Sequence, residues 1–466
     1  MPDLVARPVR LRHPPPFPST FQHLQIAMPA AAGVDAHAVV VDLADGVDER
    51  LVDEAVRRHW WSADHGQLTT RRATARQLAD EGAPVLRPSA LGWVDPAERA
   101  LPGFPLAPDD DDSERLWVRA RRDDACGSAE GWMPYTLAVA RSGDARPDEP
   151  LVHPPLLGGF GAGVDPGAAL DAAWRAVVVE DALWCWWTGS VPAASVDAAP
   201  EVRRLWADAD LELTLRLVDV GTLGPVTVAA VDDTTVQTVG GGWGRDGTAQ
   251  RTAIARALWQ LVIARELDDP ATSLSGPGVL AHRPDRRYLP RSPSERRRLL
   301  DPLAHVQLAL DPRSRGDLRR LLGTGDGMPP APRAGDGMPP EPPDGAATPP
   351  TGDGMPPAPR DGARMPPVPP EGAPTPPTGD GMPPAPRDGV RPAPVGDAEV
   401  RPGAAVETWS VALAPDGRVV RVLSPAAIPL PLGAFRLDPA LVARASRRTH
   451  RLPTPRAFEQ APFPGW

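Results

Sequence analysis

This 466-residue chain predicts an α+β fold interrupted by a long Pro/Gly-rich disordered insertion. Three observations carry that expectation. Proline is unevenly placed, because the 80 residues from Gly323 to Pro402 hold 25 of the 63 Pro and 14 of the 43 Gly. Outside that segment, β-branched runs bounded by turn residues alternate with long apolar or amphipathic stretches of helical period. Hydrophobic residues make up 41% of the chain and 14 are Trp, enough to bury a core and to exclude a wholly disordered polypeptide. The organisation expected is a main part over residues 1–322, a disordered repeat insertion over 323–402, and the C-terminal part of the same domain over 403–466.

Taken in order, DERLVDEAVRRHWW (48–61) reads as a helix following Gly46. GAALDAAWRAVVVEDALWCWW (167–187) is apolar almost all round, which marks a helix buried on most faces. TLRLVDVGTLGPVTVAAVDD (214–233) gives two strands around a Gly-Pro turn. TAQRTAIARALWQLVIARELDD (248–269) keeps an apolar stripe at Ile254, Leu258, Leu261 and Val262 and an arginine-bearing face at Arg251 and Arg265. Within the insertion, TGDGMPPAPR recurs at 324, 351 and 378, a period of 27. Its large apolar residues are only Met and Val, so burial cannot offset the entropy of ordering and an extended state is expected. A spacer is the plainer role, and a ligand for SH3- or WW-like domains the alternative. After it, VETWSVALAPDGRVVRVLSP (406–425) reads as a hairpin around Pro415-Asp416-Gly417.

Charge and cysteine content remove several function classes. All 50 basic residues are Arg, and the net charge is −10, half of it inside the insertion, where 6 Arg face 11 Asp and Glu. That balance argues against general nucleic-acid binding. No uncharged apolar stretch approaches the ~18 residues that would span a bilayer. The opening MPDLVARPVRLRHPPP lacks the apolar region of a signal peptide, so no membrane association and a cytoplasmic location are expected. Two cysteines, Cys126 and Cys185, are too few for a disulfide framework or a zinc site.

Each local candidate for chemistry has a plainer alternative. GGFGAGVD (158–165) precedes a helix and would let a backbone approach a phosphate, but the spacing is neither GxGxxG nor a P-loop, and a tight loop feeding the helix is the preferred reading. DDDD (109–112) would suit a hard cation, or simply be a solvated turn. Cys185 sits among Trp184, Trp186 and Trp187, where burial raises a thiol pKa and packing outweighs nucleophilicity. The run HRPDRRYLPRSPSERRRLL (282–300) suits an acidic or phosphate-bearing partner, or forms a solvated face.

Read together, these segments resemble the YcaO superfamily, in its SagD-like branch of ATP-dependent cyclodehydratases that form azoline rings in ribosomal peptides. LWVRARRDDACGSAEGWMPYTLAV (116–139) is similar to the segment before the family's central motif, and PPLLGGFGAGVDPGAALDAAW (154–174) to its glycine loop. AWRAVVVEDALWCWW (173–187) aligns with the family's central helix, with Asp181, Ala182, Trp186 and Trp187 on its D, A, W and W. GGGWGRDGTAQRTAIARALWQLVIAR (240–265) resembles a later helix, and DGRVVRVLSPAAIPL (416–430) the closing strands. The ending APFPGW, with Pro462 and Pro464, resembles the branch's proline-rich tail.

The resemblance implies ATP and Mg²⁺ as cofactors and Glu54, Arg58, Arg256, Gln260 and Arg265 as nucleotide-side residues. It also implies a precursor peptide and an E1-like or second YcaO protein as partners, and homodimerisation. The family's Glu, Asn and Gln ligands hold Mg²⁺ against phosphate oxygens. Here those positions read Val164, Ala168, Ala172, Ala176 and Val179, with Glu180 in place of an arginine; Arg50 and Arg57 replace Ser and Glu, and Gln260 and Ile263 replace Glu and Gln. An apolar wall replaces the ligands a triphosphate needs. The expected role is therefore a degenerate paralogue that binds or scaffolds the active cyclodehydratase or its precursor peptide. The alternatives are a working cyclodehydratase or thioamide-forming enzyme, and a structural interaction protein using the arginine run and the repeats.

Overall fold

The structure is a computed structural model that describes residues 8–28, 36–61, 68–139, 149–153, 158–270, 280–290, 295, 299, 302–323, 406–429 and 437–449. Beyond Gly323, the insertion expected to 402 lies outside the described residues, as do Pro462 and Pro464. Residues 1–326 together with 392–466 make one compact unit. It is α+β and contains three antiparallel sheets.

The first sheet joins β1 (Val9–Leu11), β2 (Phe21–Met28) and β3 (Ala36–Leu43) in that order. Leu24, Ile26, Ala38 and Val40 of this sheet make a small core with Ala55 of the helix Glu49–Trp61. The helix thus lies over the sheet and continues onto strands of the third sheet.

The second sheet runs β11 (Gln237–Trp243), β10 (Pro225–Asp232), β9 (Glu212–Asp219), β8 (Ala193–Ser195). Helix Gly247–Asp268 packs on β11 and β10. The close approach needs the glycines of β11: a Cβ on Gly242 would lie 2.0 Å from the Ala249 carbonyl oxygen. The helix is capped by Asp246, whose carboxylate accepts from the Ala249 N–H at 2.8 Å.

The third sheet orders β4 (Thr70–Ala73), β5 (Arg115–Asp124), β12 (Thr408–Ala412), β13 (Val419–Leu423) and β7 (Phe160–Ala162), with β6 (Gly127–Pro134) also paired to β5. Thr408 lies opposite Asp123, so strands from either side of residues 324–405 hydrogen-bond to one another. Central helix Pro166–Trp187 packs on β7 and β13 and also on β11, β10 and β9. Contact with two sheets explains its all-round apolar composition, and Val178, Ala182, Cys185, Trp186 and Trp187 are all buried. Asp165 caps it by accepting from the Ala168 N–H at 2.8 Å, ahead of Pro166 at the first helical position.

The three helices read from the sequence match the structure to within one residue at each end. The turn DDDD (109–112) is solvated at Asp110 and Asp112, as expected, but its carboxylates are also tied by arginines. Asp109 and Arg115 form a buried pair at 2.8 Å, Asp111 pairs with Arg87 and Asp112 with Arg76. The turn therefore ties β5 to helices Ala75–Asp80 and Pro88–Leu91. The sequence conceals this because each arginine partner except Arg115 is more than 20 positions away. Among the described residues no group of three His, Cys, Asp or Glu side chains is placed to hold a metal ion. No described helix is long and apolar enough to cross a membrane.

Candidate functional site

Five charged side chains from four elements form a run of electrostatic neighbours that extends from the surface into the core. Helix Glu49–Trp61 supplies Glu54 and Arg58, helix Gly247–Asp268 supplies Arg256, the central helix supplies Glu180, and β13 supplies Arg421. They meet because the first helix crosses β7 and β13, on which the central helix also packs.

Arg421 is only 1% exposed, and its guanidinium lies 4.0 Å from the centroid of the Phe160 ring. Neither its Nε nor its Nη1 has a hydrogen-bond partner among the described residues. Burial lowers its pKa to about 9, opposed by the negative charge of Glu180. Arg256 donates from Nη1 to the Gly241 carbonyl at 2.8 Å. Its pKa falls to about 10 through burial and then repulsion from Arg58, with Glu180 opposing. Arg58 is the solvent-exposed member of the group. Desolvation lowers its pKa, and Glu54 opposes the shift. The Glu54 carboxyl is raised by burial, and Arg58 holds it back.

Two guanidinium groups, those of Arg256 and Arg421, are thus desolvated near the Glu180 carboxylate, with Arg58 and Glu54 on the solvent side, and this balance favours negative charge and disfavours a cation. Glu180 presses on the glycine loop: a Cβ on Gly158 would lie 1.5 Å from its Oε1. Glu180, Arg421, Gly158, Gly159 and Ser424 line a cavity of about 10 Å³, room for roughly one water. A larger cavity of about 340 Å³ lies by Trp186, Ser190, Val191 and Leu321, with no charged residue among the described residues of its wall.

The remaining positions singled out from the sequence separate from this cluster. Arg265, nine residues from Arg256, lies about 180° round the helix. It pairs with Asp233 at 2.8 Å and stacks over Phe17 at 5.0 Å. Gln260, one turn from Arg256, is buried. Arg50 pairs with Asp48 at 3.4 Å, while Arg57 pairs with Asp53 at 2.7 Å and Asp416 at 3.7 Å, pinning the helix to the β12–β13 turn. In the arginine run, Arg286 is tied to Asp268, and most of residues 291–300 lie outside the described residues.

Of the positions where the resemblance places metal ligands, Val164, Ala168, Ala172, Ala176, Val179 and Ile263 carry no side-chain oxygen, and Gln260 has a neutral amide in place of a carboxylate. Val179 is buried and would lie 2.5 Å from a Cβ on Gly241, Ala168 backs Gly163, and Val164 is 62% exposed. Oxygen is what Mg²⁺ requires, so this donor set does not fit the metal. The glycine loop serves packing: a Cβ on Gly161 would fall 2.1 Å from the Ala169 carbonyl oxygen.

Cys185 is buried 3.9 Å from the Asp181 carboxylate, and burial followed by that charge raises its thiol pKa well above the ordinary value. Asp181 is fully buried; it accepts from the Ile428 N–H at 2.9 Å and pairs with Arg448 of helix Pro439–Thr449. Sequence reasoning missed Arg421 and Arg448. The available signal for Arg421 was a charge inside the apolar run VVRVL, since every residue of β13 is buried.

No protein-family profile matches the chain, and no curated protein sequence does. Solved structures do. A heterocyclase in complex with substrate and cofactor matches at 14% identity and TM-score 0.43, over 54% of this chain and 37% of that one. The heterocyclase TruD matches at 19% and 0.35, over 46% and 33%. YcaO from Methanopyrus kandleri, bound with AMPPCP and Mg²⁺, matches at 13% and 0.37, over 58% and 65%. The chain thus spans about a third of the two heterocyclases. No residue role is transferred through likenesses this distant.

Proposed function

We propose that this chain is a YcaO-superfamily protein of azoline-forming ribosomal peptide biosynthesis, acting as a binding or scaffolding subunit for the active cyclodehydratase or its precursor peptide. One observation carries the non-catalytic part of the reading. At the positions where the resemblance places Mg²⁺ ligands, Val179 and Ala168 pack against glycine backbone and Val164 faces outward. Desolvated arginines without a metal between them and a triphosphate do not make the charge-balanced, in-line site that phosphoryl transfer needs. The kept features, Asp181, Trp186 and Trp187, are buried in the core. The partners proposed are the precursor peptide and an E1-like or second YcaO protein with its glutamates intact.

Retention of Glu54, Arg58 and Arg256 in one region favours the second reading, an active cyclodehydratase or thioamide-forming enzyme. Two measurements separate them. Calorimetry with Mg-ATP is expected to show no saturable binding, and a micromolar dissociation constant refutes the scaffold reading. Incubation with precursor peptide, E1-like partner and excess ATP is expected to leave the peptide mass unchanged, whereas loss of one water per ring assigns the enzyme.

A further inference from the structure

We propose that Glu180 is an internal plug: its carboxylate stands where a phosphate-class oxyanion would sit against Arg421, and removing it opens a metal-free anion site. This deepens the non-catalytic reading above and rests on it. Arg421 presents two N–H-bearing nitrogens, Nε and Nη1, that no described group accepts from, although the residue is 1% exposed. A buried cation with spare donors is costly unless an anion is close, and a guanidinium fork matches an oxyanion better than any other side chain does. Among the described residues, Glu180 supplies the only carboxylate in the wall of the adjoining cavity.

Space gives the second argument. The cavity is about 10 Å³, far below what phosphate needs. What fills it is Glu180 itself, lying on Gly158, a position at which any side chain would collide with the carboxylate. Truncation to alanine removes a methylene and the carboxylate together, vacating volume and charge at one point. Charge gives the third argument. Glu180 opposes the desolvation of both Arg256 and Arg421, so its removal leaves two cations, with Arg58 a third beside Arg256, short of one negative charge. A doubly charged oxyanion restores it without a metal.

The test uses the full chain and inorganic phosphate at matched ionic strength, read by calorimetry and by the shift of the thermal midpoint. Glu180→Ala is expected to bind phosphate saturably and at least tenfold more tightly than the parent, and Arg421→Met in the Glu180→Ala background is expected to abolish the gain. Glu180→Gln, which removes charge but keeps bulk, is expected to fall between parent and Glu180→Ala. A folded Glu180→Ala protein with no gain overturns the plug, as does a gain that survives Arg421→Met. Loss of the folded state in both Glu180 variants also overturns it, because a plug is dispensable to the fold. Phosphate binding by the parent as tight as by Glu180→Ala sinks the plug alone; Mg-ATP binding by the parent sinks the scaffold reading.

Discussion

Asp181 offers the sharpest test of how the C-terminal helix is held. Its Oδ1 accepts from the Ile428 N–H at 2.9 Å, its Oδ2 pairs with Arg448, and Arg448 in turn donates to the Ala426 carbonyl. One carboxylate therefore joins the central helix, the loop after β13 and the helix Pro439–Thr449. Asp181→Ala leaves the Arg448 guanidinium, whose side chain is 8% exposed, without its counter-charge, and removing one partner of a buried pair costs about 3–5 kcal/mol. The Ile428 N–H is orphaned as well, worth a further ~1 kcal/mol or more. A loss of about 4–6 kcal/mol is expected, a large fraction of the ~5–15 kcal/mol that holds a typical domain. Asp181→Asn keeps the acceptor for Ile428 and loses only the charge, so about 2 kcal/mol is expected. Urea unfolding followed by Trp fluorescence reads both, since Trp184, Trp186 and Trp187 are buried on the same helix. A double-mutant cycle with Arg448→Met is expected to show coupling above ~1 kcal/mol. If Asp181→Ala stays within about 1 kcal/mol of the parent at unchanged slope, the clamp is an error of reasoning.

Three further substitutions test packing and titration. His13 Nε2 and His23 Nδ1 lie 2.8 Å apart, and burial lowers both pKa values, that of His23 to about 4 from 6.5. The unfolded chain then binds more protons between about pH 4 and 6.5, so this stability is complete above 6.5 and is lost as pH falls; His23 alone accounts for about 2 kcal/mol between pH 7.5 and 5, taken as a ceiling. Urea midpoints at the two pH values are expected to converge in His23→Gln, and an unchanged pH dependence counts against the pair. Gly242→Ala is expected to cost about 2–3 kcal/mol, because its Cβ would meet the Ala249 carbonyl oxygen at 2.0 Å. Gly316→Ala, in helix Pro312–Leu322 with nothing within 4 Å, is expected to stabilise by roughly 0.5 kcal/mol. Equal effects at the two glycines, read as shifts in the thermal midpoint, contradict the packing account.

What could be read from the sequence was what period and local chemistry encode. The central helix announced itself through an apolar composition that a two-sheet environment demands, and the hairpin 406–425 through a Pro-Asp-Gly turn between β-branched runs. β11 escaped notice because QTVGGGW carries three glycines, whose function is to admit the backbone of helix Gly247–Asp268 rather than to favour a strand. The site was half legible. Arg58 and Arg256 were found through motif position, and the structure places them within electrostatic reach of each other, whereas Arg265 turned to Asp233 across the helix. β13 brings Arg421 to the Glu180 side of the central helix, a neighbour that no local pattern announced. Arg448 had no local signal, since its partner Asp181 is 267 positions away.

The pairing of β5 with β12 has a consequence for how the protein is made. Asp123 and Thr408 are 285 positions apart, and 80 of those positions belong to Gly323–Pro402. By chain length alone, those 80 residues add only about 0.3 kcal/mol to the entropy of closing the loop. The delay is another matter. At ~5–20 residues per second a ribosome spends several additional seconds on the segment while half of one edge of β5 stands without its neighbour, in the state where strand edges invite association with other chains. Lengthening the repeat would thus leave the finished molecule nearly as stable while widening the interval in which a chaperone is needed.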